Sequence, residues 1–271
     1  MRILYDESMK SRTVQLSFSG LGARIIPDWL SDSGYILEIG GAEQSHVDMA
    51  DQSHIFYEYL RRIAHVIDVF RPTQEPILAA HLGAGALTLA RYIQVTRPGS
   101  VQVAVDIERE LPTLVLDELP LPAGSSLEIL IDDARSAVPR LASLLKTEQG
   151  IDAIVLDIFS GWQAPEHLTE PEFYGELHNE LSGGGVLVVN VGDDPGLTFF
   201  AAQARTMLGI FNHVWCLTEQ SLLTAKYPGN LILVGTDQPL SADIRATLSA
   251  AGPHPGVVLD THELSEFVAT L

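Results

Sequence analysis

The chain has 271 residues, 46% of them hydrophobic, and sets 16 Lys and Arg against 35 Asp and Glu for a formal net charge of −19. A chain this apolar buries enough surface to offset its conformational entropy, which excludes a disordered protein, and its length suits one large domain or one domain with a small appendage. Sparse, scattered Lys and Arg disfavour nucleic acid as a partner, because phosphate binding rests on clustered cations.

Residues 1–51 read as a small N-terminal β-sheet domain, with short β-like runs at 14–18, 23–26 and 35–39 separated by Gly, Pro and Asp turns. From Ser53 the period changes: Ile55, Phe56, Tyr59, Leu60, Ile63, Val66, Ile67 and Phe70 recur at three and four residues, one apolar helix face that Pro72 stops. After Pro76, apolar runs alternate with helical patterns, the signature of parallel strands joined by helical crossovers. Strands are expected at 77–82, 101–107, 128–131, 151–158 and 186–191, and an antiparallel pair at 213–217 and 231–235 closes a seven-stranded sheet. Thr169 and Glu172 have the spacing of a helix capping box. The main α/β unit runs over 52–240, and 241–271 reads as a helical extension.

The stretch 77–90 contains His81, Gly83 and Gly85 and falls short of the roughly 18 to 20 apolar residues of a membrane span. The first seven residues turn acidic before a signal-peptide core forms. The single cysteine, Cys216, allows no internal disulfide and reads as a small buried apolar residue. A cytoplasmic protein without membrane association is expected. No histidine pair has metal-ligand spacing with a third ligand, so no metal site is expected; His46 and His54 are candidates to line a cleft, while His65 reads as helix surface.

Four places carry candidate chemistry. Gly83 and Gly85 lie where a strand turns into a helix, and glycine there lets a ligand approach the backbone and the helix N-terminus. Thr88 stands where a dinucleotide fingerprint has its third glycine, which weakens a nicotinamide or flavin reading. Asp106 ends the next strand about twenty residues on, where an acid accepts both hydroxyls of a ribose. Asp132, Asp133 and Ala134 follow the third strand, a carboxylate for an exocyclic amine beside room for a flat ring. Asp157 ends an apolar run; a buried carboxylate there is expensive unless it is partnered or functional, and it can take a proton from an attacking amine. Ser160 lacks the glycines of a hydrolase nucleophile elbow.

In this order the glycine turn, Asp106, Asp132-Asp133-Ala134 and Asp157 resemble the aminopropyltransferase family, the spermidine synthases and their relatives. Gln44 with Phe56-Tyr57-Glu58, and the Tyr227-Pro228-Gly229 turn, agree with it. Residues 81–91 with 157–168 resemble the actinobacterial type. The resemblance implies an α/β, S-adenosylmethionine-dependent methyltransferase-like (Rossmann-like) catalytic domain that binds an adenosyl sulfonium at its strand ends. It further implies that Gly83, Gly85 and Ala134 pack against the nucleoside, Asp106 holds ribose, Asp133 holds the adenine amine, and Gln44 touches the ribose or sulfur region. Tyr57 and Tyr227 would flank the amine channel with Ser160 nearby, and Asp157 would be the general base. The implied reaction moves an aminopropyl group from decarboxylated S-adenosylmethionine to putrescine, with no tightly bound cofactor and a homodimeric assembly. The family has aspartates where this chain has Ala86 and Ser160; Asp193 or Asp194 are candidate replacements. Two alternatives are a methyltransferase using S-adenosylmethionine itself and a non-catalytic nucleoside-binding homologue.

Overall fold

A computed structural model describes residues 12–158 and 164–271. Four strands, β1 (Thr13–Gln15), β2 (Gly22–Pro27), β3 (Gly34–Ile39) and β4 (Ala42–Asp48), form an antiparallel sheet in sequential order. Helix α1 (Glu58–Phe70) follows. It starts later than the apolar spacing suggests, because the Asp51 carboxylate accepts both the amide and the hydroxyl of Ser53 and holds a local turn there.

The main unit then alternates β5 (Leu78–Leu82), α2 (Thr88–Thr96), β6 (Val101–Asp106), α3 (Glu110–Glu118), β7 (Ser126–Ile131), α4 (Ala134–Leu144), β8 (Ile151–Leu156), α5 (Pro171–Glu180), β9 (Leu181–Asp193) and α6 (Thr198–Leu208). It closes with β10 (His213–Glu219), β11 (Gly229–Thr236), α7 (Ala242–Ala251), β12 (Gly256–Leu259) and α8 (Thr261–Ala269). The expected capping box at Thr169 does not form. Thr169 donates its hydroxyl to the Glu166 carbonyl, and the helix begins two residues later with Pro171 in its first turn, where a missing amide costs nothing.

The main sheet has eight strands in the order β12-β10-β11-β9-β8-β5-β6-β7, not seven. The extra strand comes from the expected helical extension: Val257 and Val258 pair with Thr218 and Leu217 at the edge of β10. Strands β9, β8, β5, β6 and β7 are parallel, and β11 joins them antiparallel. Buried Val, Ile and Leu cover both faces, with α4, α5, α6 and α8 on one and α1, α2 and α7 on the other. The small sheet packs Leu16, Ala23, Leu37 and Val47 onto Leu87, Ala90, Leu111 and Val115 of the α2 and α3 region. Strand order reverses between β5 and β8, and the crevice outside strand ends at such a point is where open α/β sheets bind ligands. No helix among the described residues is long and apolar enough to cross a membrane.

Candidate active site

A cavity of about 690 Å³ opens at that crevice, within the size range of small-molecule sites. Its floor comes from the ends of β5, β6 and β8 and its roof from the small sheet, through Leu16, Ser19 and Leu21 of the β1–β2 turn and Glu43, Gln44 and Ser45 of β4.

The glycine turn is fixed by close approach. Gly83 has φ +98°, and a Cβ there would lie 2.3 Å from the Asp157 carbonyl oxygen. Gly85 has φ +49°, and a Cβ would lie 2.8 Å from the Ser45 hydroxyl. That hydroxyl accepts the Ala86 amide at 3.2 Å, and Thr88 donates its hydroxyl to the His46 carbonyl, so the turn is tied to β4. Beneath it, the fully buried Arg91 donates to the carbonyls of Ala86, Leu119 and Pro120 and to the Gln52 side chain. Burial pulls its guanidinium down to about 10.

Asp106 lines the cavity, one oxygen accepting the Ala84 amide at 3.0 Å and the other the Glu108 amide at 2.8 Å. Each oxygen keeps a further acceptor site. Burial raises its pKa above the ordinary carboxylate range against those two amides. Glu108, itself buried, accepts the amides of Phe18 and Ser19 and so pins the roof to the floor.

At the other end stands Asp157, accepting a hydrogen bond from the Asn190 side chain at 2.8 Å, with the Tyr59 phenol close enough to favour its charged form. Burial raises its pKa, and the two donors oppose that shift. Burial and the neighbouring carboxylate hold the Tyr59 phenol well above its usual value.

No family model matches the chain. A polyamine aminopropyltransferase of Chromobacterium violaceum is 31% identical over 166 residues, which are 59% of this chain and 60% of that protein. An N-terminal histidine N-methyltransferase of Emericella nidulans is 31% identical over 145 residues, 51% of this chain and 25% of that protein. The chain thus spans less than two thirds of the length of these curated relatives. A probable spermidine synthase from Corynebacterium glutamicum superposes with a TM-score of 0.85 at 25% identity, covering 97% of this chain and 95% of its own. The chain is similar in sequence to polyamine aminopropyltransferases and in fold to a probable spermidine synthase. A spermidine synthase solved with the transition-state analogue AdoDATO shares the fold, with a TM-score of 0.55 at 15% identity over 84% of this chain and 72% of its own.

The cavity gathers Gln44, Gly83, Gly85, Asp106, Ala134 and Asp157 from the sequence expectations. Other expected residues stand elsewhere. Asp132 lines the cavity in place of Asp133, whose two oxygens take the Ser136 amide, as the N-cap of α4, and the His167 imidazole at 2.7 Å. Tyr57 lies outside the lining and donates to Glu43 at 3.3 Å; burial and that carboxylate push its phenol up to about 12. Tyr227 is 55% exposed and also outside the lining. Asp193 is turned away, capping α6 through the Phe200 amide, and Asp194 is exposed outside the lining. His46 is buried against Asp28 rather than facing the cleft, and His65 is half-buried with Nδ1 at 3.3 Å from the Gly252 carbonyl rather than on the surface. Ser160 lies outside the described residues. Cys216 is buried, and burial pushes its thiol up.

Sequence reasoning missed Tyr59, Asn190 and His81. Tyr59 was legible only as part of an apolar stripe. Asn190 is a lone amide inside the run Val186-Leu187-Val188-Val189-Asn190-Val191, and an unpaired polar group there is costly enough to announce a partner. His81 likewise interrupts a buried strand.

Proposed function

We propose that the chain transfers the aminopropyl group of decarboxylated S-adenosylmethionine to putrescine or a related amine, with Asp157 as general base. The observation that carries this reading is the placement of Asp157 in the same cavity as the glycine turn and Asp106.

The residues fit an adenosyl cosubstrate. Gly83 and Gly85 leave the turn open to a nucleoside, the two free acceptor sites of Asp106 match a ribose diol, and buried Ala134 leaves room for a flat base beside Asp132. Gln44 in the roof takes the ribose and sulfur side. Asp133 reaches an adenine amine once His167 yields its oxygen. Tyr59, seated on Asp157, takes the amine-channel role that the resemblance gives to Tyr57, with Tyr57 and Tyr227 toward the mouth.

In the reaction the amine lone pair attacks the propyl carbon bonded to sulfur. The C–N bond forms as the C–S bond breaks, its electron pair goes to sulfur, and methylthioadenosine leaves neutral. The new ammonium loses its proton to Asp157. Because sulfur already carries positive charge, the protein's work is to align the two partners and remove that proton. Asn190 holds the carboxylate in place with Tyr59 beside it, while burial raises its affinity for the proton.

The test is chromatographic detection of methylthioadenosine. Release that requires both the decarboxylated cosubstrate and an amine such as putrescine supports the reading; no release with any such amine defeats it. This reading also carries the homodimer, which sedimentation velocity decides.

Methyl transfer is the second reading, favoured by one specific arrangement. At Ala86 the chain offers no carboxylate for an aminopropyl ammonium, and the buried cation nearest it is Arg91. Consumption of S-adenosylmethionine to S-adenosylhomocysteine in preference to the decarboxylated compound would select it.

A further inference from the structure

The cavity has an inner arm that the reaction above leaves without a purpose. It lies between α1, α2 and the sheet, where Leu60, Leu89, Ala90, Val155 and His81 line the same cavity as Tyr59 and Asp157. His81 is 5% exposed. On parallel neighbouring strands it pairs with Val155, two residues before Asp157, so the two side chains share a face. Their backbones lie about 8 Å apart from strand rise and spacing.

The protonation state of His81 follows from its neighbours. Gln102 donates its amide nitrogen to the Ala90 carbonyl at 3.1 Å, and since a carbonyl only accepts, the Gln102 oxygen must face His81. That oxygen lies 2.9 Å from Nε2, so Nε2 carries the hydrogen. Burial lowers the imidazole's pKa, so the ring is neutral and Nδ1 is a bare acceptor, with no partner among the described residues.

We propose that His81 is an acceptor-specificity residue, its Nδ1 receiving a hydrogen bond from a neutral donor on the far end of the amine whose nitrogen reacts at Asp157. An ammonium entering this apolar arm would be desolvated against an uncharged partner; a hydroxyl loses far less. The inference rests on the aminopropyl-transfer reading and narrows its substrate class to four-carbon amines that carry a neutral donor, instead of a second cation, at the far end.

The experiment compares 4-aminobutan-1-ol with putrescine as acceptors in the wild type and in His81→Leu. Methylthioadenosine affinity and melting temperature serve as folding controls. The wild type should favour the amino alcohol in kcat/KM by about tenfold or more, and His81→Leu should bring the ratio close to one. A wild-type preference for putrescine, or a ratio unmoved by the substitution, overturns the proposal. Long-range proton–nitrogen spectra of the wild type give a second readout independent of turnover and of how the variant folds. The His81 Nδ1 resonance should start at the position of an unprotonated nitrogen and move when 4-aminobutan-1-ol is added to the methylthioadenosine complex. An unmoved resonance overturns the proposal. If neither amine yields product while that resonance still moves, aminopropyl transfer fails and the His81 contact stands.

Discussion

Replacing Asp157 by Asn tests the mechanism with little change of shape. The new side chain is isosteric, its oxygen still accepts from Asn190, and Tyr59 can rotate its hydroxyl to meet the amide. What disappears is the base. Proton removal by a positioned group contributes roughly 10²–10⁴ in rate, about 2.7–5.4 kcal/mol, so kcat for methylthioadenosine release should fall by that factor while methylthioadenosine affinity is retained. Stability should move the other way. Asp157 has a folded-state pKa raised by burial, so the fold disfavours its charged form; that penalty is absent below the unfolded pKa and complete above the folded one. The Asp157→Asn protein carries no such penalty, so it should melt at or above the wild-type temperature at pH 7, and the gap should close toward pH 3. Initial rates by chromatography and thermal melts across pH read both effects. A kcat within tenfold of wild type would refute the assignment of Asp157 as the base.

Other substitutions probe the rest of the cavity. Asp106→Asn replaces a charged acceptor of two backbone amides and the ribose-facing oxygens, and calorimetry should show methylthioadenosine affinity reduced by about 10²-fold, the worth of one or two charge-assisted hydrogen bonds. Gly83→Ala places a methyl against the Asp157 carbonyl at a positive φ, and denaturant unfolding should show a loss of more than about 2 kcal/mol. Glu108→Ala frees the Phe18 and Ser19 amides; hydrogen exchange at those residues should quicken and nucleoside affinity fall, with the main sheet's exchange unchanged. As pH drops through the raised pKa of Asp157, turnover should decline as the base is protonated, and Asp157→Asn should lack that limb of the profile.

Much of the main sheet could be read from the chain because its signals are local. Runs such as 153–156 are continuously apolar, and an acid ending such a run stands at a strand's C-terminal edge, which is why Asp106 and Asp157 were found. What could not be read depended on competition between neighbours. Asp132 and Asp133 are chemically alike, and it takes the Ser136 amide of α4 and the His167 imidazole to turn Asp133 from the cavity. Tyr57 and Tyr59 differ by two positions, about 200° around a helix, and the start at Glu58 puts Tyr59 on the stripe facing Asp157. Strand β12 was hidden because Gly256-Val257-Val258-Leu259 is too short to signal a strand apart from the β10 edge it joins. His81 acquires meaning only through Gln102, 21 positions away on the next strand.

The order of synthesis gives the small sheet a particular history. Residues 13–48 leave the ribosome before residues 84–119, yet the partners of Leu16, Ala23, Leu37 and Val47 are Ala84, Leu87, Ala90 and the side chains of 111–119. A nascent chain halted before those helices exist carries four strands with one apolar face uncovered, and sheets of that kind are prone to pair with other chains. The roof of the cavity is therefore made early and finished late. Slow translation through 49–119 prolongs that exposure, whereas a ligand bridging roof and floor acts only after β8 has emerged and Asp157 is in place.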